Sequence, residues 1–119
     1  MTTPPILNPD AIQALRDLSP DGSTEFLQEL VGIYLADTPR QIAQLEEALS
    51  RQDAAVAVRA THTIKGSSGN FGAEHFVVLV ADMERQAKAG NLSAVAATLP
   101  EFKHQFEKVA TALKQLAAS

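Results

Sequence analysis

Cysteine and tryptophan are absent from this 119-residue chain, tyrosine occurs once and phenylalanine five times. Without cysteine there is no disulfide scaffold, zinc knuckle, thiol nucleophile or thiolate-bound cluster. Positive charge is in deficit: 10 Lys and Arg stand against 14 Asp and Glu, a formal net charge of -4. That balance argues against nucleic acid as a partner, which would need a basic footprint. No apolar run approaches the roughly 18–20 residues of a membrane span, so no membrane partner is expected. Residues 1–8 lack the basic-then-apolar order of a signal peptide, so the expected compartment is the cytoplasm. Aromatic and β-branched clusters are thin, and no stretch alternates apolar and polar residues with period two. The length suits one domain with a single core.

What is present favours helix: Ala, Leu, Glu, Gln, Lys and Arg dominate. Residues 1–8, with Pro4 and Pro5, read as a loose tail before a domain over 9–119. Asn8 can cap a short helix opened by Pro9, with Ile12 and Leu15 on one side. A second helix starts near Ser23 and carries a wide apolar stripe from Phe26 to Leu35, so it is central. Asp37-Thr38-Pro39 interrupts it, as a stop capped by Thr38 or as a kink, before Ile42, Leu45 and Leu49 resume an amphipathic pattern. Asp53 caps a helix over 54–68, Gly69 to Gly72 make a tight connection, and a further helix over 73–89 ends at Gly90. The last helix runs from Asn91 towards Ala118, with Pro100 as a potential kink. Short connections between consecutive helices predict antiparallel neighbours.

The chemistry sits between Ala60 and Ala73. At about 100° per residue, Val56, Ala60, Thr63, Ile64, Ser67 and Phe71 share one face, which the wheel predicts to be the core side. His62 lies roughly 150° away from it, with Lys65 and Gly66 on its own side. An exposed glycine inside a helix costs about 1 kcal/mol relative to alanine. In so alanine-rich a chain, Gly66 marks either a helix losing regularity near its end or a place where something approaches the imidazole closely. Lys65 is a solvated surface lysine or, beside a phosphorylated histidine, an offset to the charge of about -1.5 to -2 that phosphate brings.

His62-x-x-Lys65-Gly66-Ser67-Ser68, followed by Gly72-Ala73, resembles the signature of histidine phosphotransfer (HPt) domains of bacterial multistep phosphorelays. The resemblance takes in the Asn8-Pro9 opening, the Asp37-Thr38-Pro39 break and the Gly90-Asn91-Leu92 turn as well. It implies an all-α fold, an antiparallel four-helix bundle with an accessory N-terminal helix. His62 would accept a phosphoryl group from an Asp of one receiver domain and pass it to another. Lys65 would stabilise that group, and Gly66 would leave room for the receiver. The family's hydrogen-bonding Gln or Glu on the neighbouring helix would be Glu84 here, and a carboxylate on one ring nitrogen would leave the other as nucleophile. The partners would be receiver domains of response regulators and hybrid sensor kinases. The sequence holds no P-loop and no carboxylate cluster suited to Mg²⁺, so this would be a carrier without kinase activity or cofactor, the metal residing on the receiver.

Two other classes compete. Glu101-Phe102-Lys103-His104 matches the Glu-x-x-His spacing of di-iron bundles, but such sites need two motifs and further Glu residues, and only one motif occurs. A helical interaction module with an incidental His62 is the bland reading, and His75 and His104 read as surface residues. Val58, Arg59, Thr61, Gly66, Gly69, Ile12 and Leu15 form the expected receiver-docking collar, with ordinary core as the equal alternative for the first helix. A bundle that closes its own core needs no second copy, so a monomer is expected.

Overall fold

The computed structural model describes residues 6–21 and 23–118. Five helices follow one another along the chain: α1 (Pro9–Arg16), α2 (Glu25–Arg51), α3 (Ala54–Gly69), α4 (Glu74–Lys88) and α5 (Leu92–Ala118). Helices α2 to α5 close a ring in which each packs on two neighbours, and α1 lies against α2. The run is antiparallel: Gln28 near the start of α2 donates to the Ala117 carbonyl near the end of α5. Further along, Lys103 of α5 meets Glu46 of α2. This is the expected four-helix bundle with an accessory N-terminal helix.

Local chemistry sets the helix ends. The Asn8 side chain accepts from the Asp10 amide at 2.8 Å, with Pro9 in the first helical position where its missing N–H costs nothing. Asp53 caps α3 through the Val56 amide at 3.2 Å. Gly90, at φ 78, closes the α4–α5 turn in the left-handed region that a side chain disfavours.

Asp37-Thr38-Pro39 does not end a helix, because α2 runs through Pro39. Val31, Tyr34, Thr38, Ile42 and Leu45 form one buried stripe across the proline, while Pro39 itself is exposed. Burial of that stripe outweighs the lost backbone bond. Thr38 is therefore a buried helix-interior residue rather than a cap. Pro100 likewise sits inside a continuous α5.

The core is aliphatic along the bundle and aromatic where the α3–α4 turn meets α2 and α5. Phe76 stacks on Phe102 with centroids 5.5 Å apart. Tyr34 meets Phe71 edge-on at 5.3 Å, and Phe106 lies against both Tyr34 and Phe76.

Of the expected tail, Met1 to Pro5 lie outside the described residues. Leu7 and Asn8 are tied down: Leu7 packs on the core, and Asn8 donates from its backbone to the Gly72 carbonyl at 3.0 Å and from its side chain to Glu74 at 2.8 Å. Asn8, the last residue of the expected tail, is thus joined to the bundle by hydrogen bonds that reach 64 and 66 residues along the chain.

Candidate functional site

The buried face of α3 is Ala57, Ala60, Thr61, Ile64 and Ser68. Relative to the face expected from the wheel, it is turned by roughly 70° at 100° per residue. Val56, Thr63 and Ser67 are only half-buried. Thr63 and Ser67 spend their hydroxyls on carbonyls one turn back, those of Arg59 and Thr63. Even so, His62 stays on the outside, with 69% of its side chain exposed.

Across from it stands Glu84 of α4. Its side chain is only 4% exposed, yet three groups converge on its carboxylate. His62 Nδ1 lies 3.2 Å from Oε2. Lys65 Nζ is 2.7 Å from Oε1, as an ion pair rather than in hydrogen-bonding alignment. Lys88 Nζ is 3.1 Å from Oε2. Burial pushes the Glu84 carboxyl up, but the contacts of Lys65, Lys88 and His62, with the charge of Lys65, outweigh it and bring the pKa down to about 2. The group is an anion throughout the physiological range.

An ionised carboxylate can only accept, so Nδ1 carries the hydrogen of the neutral ring. Nε2 is left with its lone pair and no partner among the described residues. Two ammonium groups against one carboxylate leave a net positive charge beside that nitrogen. One imidazole and one carboxylate do not make a metal site. Among the described residues no group of three or more His, Cys, Asp or Glu is placed to hold a metal, and Glu101, His104 and His75 are exposed.

The expected site residues thus come together in part. His62, Lys65 and Glu84 are in contact, and Gly66 is exposed one turn along, where an added Cβ would meet nothing within 4 Å. Of the expected collar, Arg59 and Gly69 are exposed, while Val58 and Leu15 are half-buried and pack on the core. Thr61 and Ile12 are corrections. Thr61 is 0% exposed, its hydroxyl turned back onto the Ala57 and Val58 carbonyls. Ile12 is 5% exposed and belongs to the core, because α1 uses it to dock on the bundle. Neither offers surface to a partner. Ser68 is fully buried against Tyr34. Lys88 was not anticipated. Its spacing of four residues from Glu84 on one helix is the signal that points to it.

The Glu84 pKa carries a prediction. The folded value of about 2 lies below the ordinary 4.5, so its ion pairs contribute stability in full above about pH 4.5. That contribution falls away as the pH drops from 4.5 towards 2. The shift corresponds to about 3 kcal/mol at most, less in practice because Lys88 and His62 are solvent-screened. Urea midpoints across this range should fall steeply for the wild type and flatten for Glu84→Gln. Parallel curves would remove Glu84 as the source.

The Hpt domain family model matches residues 29–118. The phosphorelay intermediate protein rdeA of Dictyostelium discoideum is 29% identical over 89 residues, covering 75% of this chain and 35% of that protein. Histidine-containing phosphotransfer protein 2 of Arabidopsis thaliana is 24% identical over 110 residues, covering 90% of this chain and 70% of that one. The chain therefore spans about a third of the length of rdeA. Among solved structures, histidine-containing phosphotransfer protein B (HptB) of Pseudomonas aeruginosa superposes with a TM-score of 0.87 at 24% identity, covering 98% of this chain and 97% of that one. A histidine-containing phosphotransfer protein from maize gives 0.81 at 22% identity, covering 95% and 83%. With a family model spanning three quarters of its length and the same helical bundle, the chain belongs to the Hpt domain family.

Proposed function

We propose that this chain is a phosphocarrier of a multistep phosphorelay, taking a phosphoryl group from an aspartyl phosphate of one receiver domain onto His62 and giving it to an aspartate of another. The observation that carries this reading is the His62–Glu84 pair. It fixes the ring with Nδ1–H inward and leaves Nε2 exposed as nucleophile beside a net positive charge. The Nε2 lone pair attacks phosphorus, the bond from phosphorus to the aspartyl oxygen breaks, and the aspartate leaves as carboxylate. The ring then carries positive charge at Nδ1–H, which the Glu84 carboxylate stabilises. Lys65 and Lys88, already at the site, offset part of the arriving phosphoryl charge of about -2. Transfer to the next receiver is the same step reversed.

Such a carrier needs no nucleotide pocket or resident metal, because positioning and charge at the acceptor are its share of the reaction. The receiver would bring Mg²⁺ and the acidic pocket. Membership in the Hpt family supports this division of labour. Among the described residues no helix is long and apolar enough to cross a membrane. The test is transfer from radiolabelled phospho-receivers of the source organism. Acid-labile, alkali-stable label on the peptide containing His62 is expected. A chain that takes label from none of those receivers would not be a phosphocarrier.

Gly66 separates stability from function. An added Cβ there stands in open space, so Gly66→Ala should raise stability by up to about 1 kcal/mol through helix propensity alone. If the receiver backbone approaches His62 over this position, the same variant transfers more slowly, and Gly66→Leu more slowly still. Melting curves and single-turnover transfer rates read the two effects. Unchanged rates in both variants would make Gly66 a bare helix irregularity.

A further inference from the structure

The buried contact between Tyr34 and Ser68 has no part in the chemistry above. Their oxygens lie 2.7 Å apart inside the α2–α3 interface. Ser68 is also where α3 is terminated: its carbonyl accepts from the Phe71 amide at 3.2 Å and the Ala73 amide at 3.4 Å. Phe71, which that turn sets in place, packs edge-on to the Tyr34 ring.

The rest of the α3 face is poor at defining a rotation. Ala57 and Ala60 are small, and the Thr61 hydroxyl is spent on its own helix. Only Ile64 is a large knob among the buried residues of the helix. Interlocking of ridges and grooves depends on side chains of some size. Among the described residues, α3 makes directional side-chain contacts to its neighbours in two places. Ser68 reaches α2, and His62 with Lys65 reaches Glu84 on α4.

Building on the phosphocarrier reading, we propose that Tyr34 and Ser68 are positioning residues, whose buried hydrogen bond sets the rotation of α3 and so holds His62 against Glu84. Side chains of a helix end about 5–6 Å from its axis. A turn of roughly 10° therefore moves the imidazole by about 1 Å. The Nδ1 to Oε2 distance of 3.2 Å has little room for that before the bond is lost. A misplacement of this size in a reacting group can cost about 10²-fold in rate. A partial rotation, limited by the core, should cost about tenfold.

The experiment compares Tyr34→Phe, Ser68→Ala and the double variant. Tyr34→Phe strands the buried Ser68 hydroxyl, and Ser68→Ala leaves the Tyr34 hydroxyl with Thr38 alone; both are expected to lose stability, the first more. The double variant removes both partners and should regain most of it, since replacing both by apolar groups of similar shape is nearly neutral. All three should transfer phosphoryl about tenfold more slowly than wild type at saturating receiver, with receiver affinity unchanged. In the free protein, the His62 ring-nitrogen NMR shifts should move away from the hydrogen-bonded Nδ1–H signature. A double variant with wild-type rate and wild-type ring shifts would overturn the proposal, leaving the contact a matter of stability alone. The NMR arm needs no receiver. A wild-type protein that takes no phosphoryl group would thus defeat the carrier reading while the ring shifts still decide this one.

Discussion

His62→Gln is expected to abolish phosphoryl acceptance while leaving stability within about 0.5 kcal/mol of wild type. The side chain is largely exposed, so its replacement opens no cavity. A glutamine amide can still donate to Glu84, and Lys65 and Lys88 remain on that carboxylate, so no buried charge is stranded. What is lost is the lone pair: an amide nitrogen has its electrons delocalised and does not attack phosphorus. The loss is therefore all-or-none rather than graded. His75→Gln and His104→Gln supply the contrast. Both histidines are exposed, but among the described residues neither ring is hydrogen-bonded to a carboxylate that would fix a tautomer. Both variants should transfer like wild type. Label remaining on His62→Gln, together with its loss in one of the other two, would move the acceptor to that histidine and dismantle the Glu84 argument with it.

The proposed acceptor was legible because it lies within one short segment. His62, Lys65 and Gly66 share one side of one helix, and helical spacing alone places them there. Glu84 is 22 residues away on another helix, and no local pattern reaches it; it became visible through the family resemblance. Lys88 was within reach once Glu84 was named, as a partner one turn along the same helix. The rotation of α3 was not legible, for a physical reason. A wheel weights residues by polarity, and this helix mixes Ala, Thr and Ser all around its circumference. Which of them are buried is decided by two flanking helices, α2 and α4, and by hydroxyls that bond their own backbone and so tolerate either environment. The same limit explains Thr61 and Ser68, polar residues that the fold buries with their hydrogen bonds satisfied. Ile12 was ambiguous for another reason: an eight-residue helix shows the same apolar side whether it covers the core or a partner.

That short helix carries the second large effect. Gly72→Ala is expected to destabilise the protein by about 3–5 kcal/mol, a sum of strain, lost burial and lost bonds. Gly72 sits at φ +66, where a side chain costs about 1–2 kcal/mol. Its added Cβ would fall on the Asn8 Cβ, and within 2.9 Å of both the Asn8 amide nitrogen and the Ala11 Cβ. All three are backbone or first side-chain atoms of α1 and its cap, so no flexible tip can move aside. Either the turn distorts or α1 lifts off. Lifting off exposes Ile12, worth about 1.5–3 kcal/mol, and breaks the two bonds of Asn8 to Gly72 and Glu74. Hydrogen exchange distinguishes the two routes. If α1 lifts off, its amides exchange freely while those of α2 to α5 keep their protection, and His62 still accepts a phosphoryl group. If the turn distorts, protection falls across the α3–α4 hairpin and transfer falls with it, because that turn sets α3 and α4 side by side and so holds Glu84 opposite His62. A Gly72→Ala protein as stable as wild type, with α1 protected, would mean that Asn8 does not sit over the turn at all.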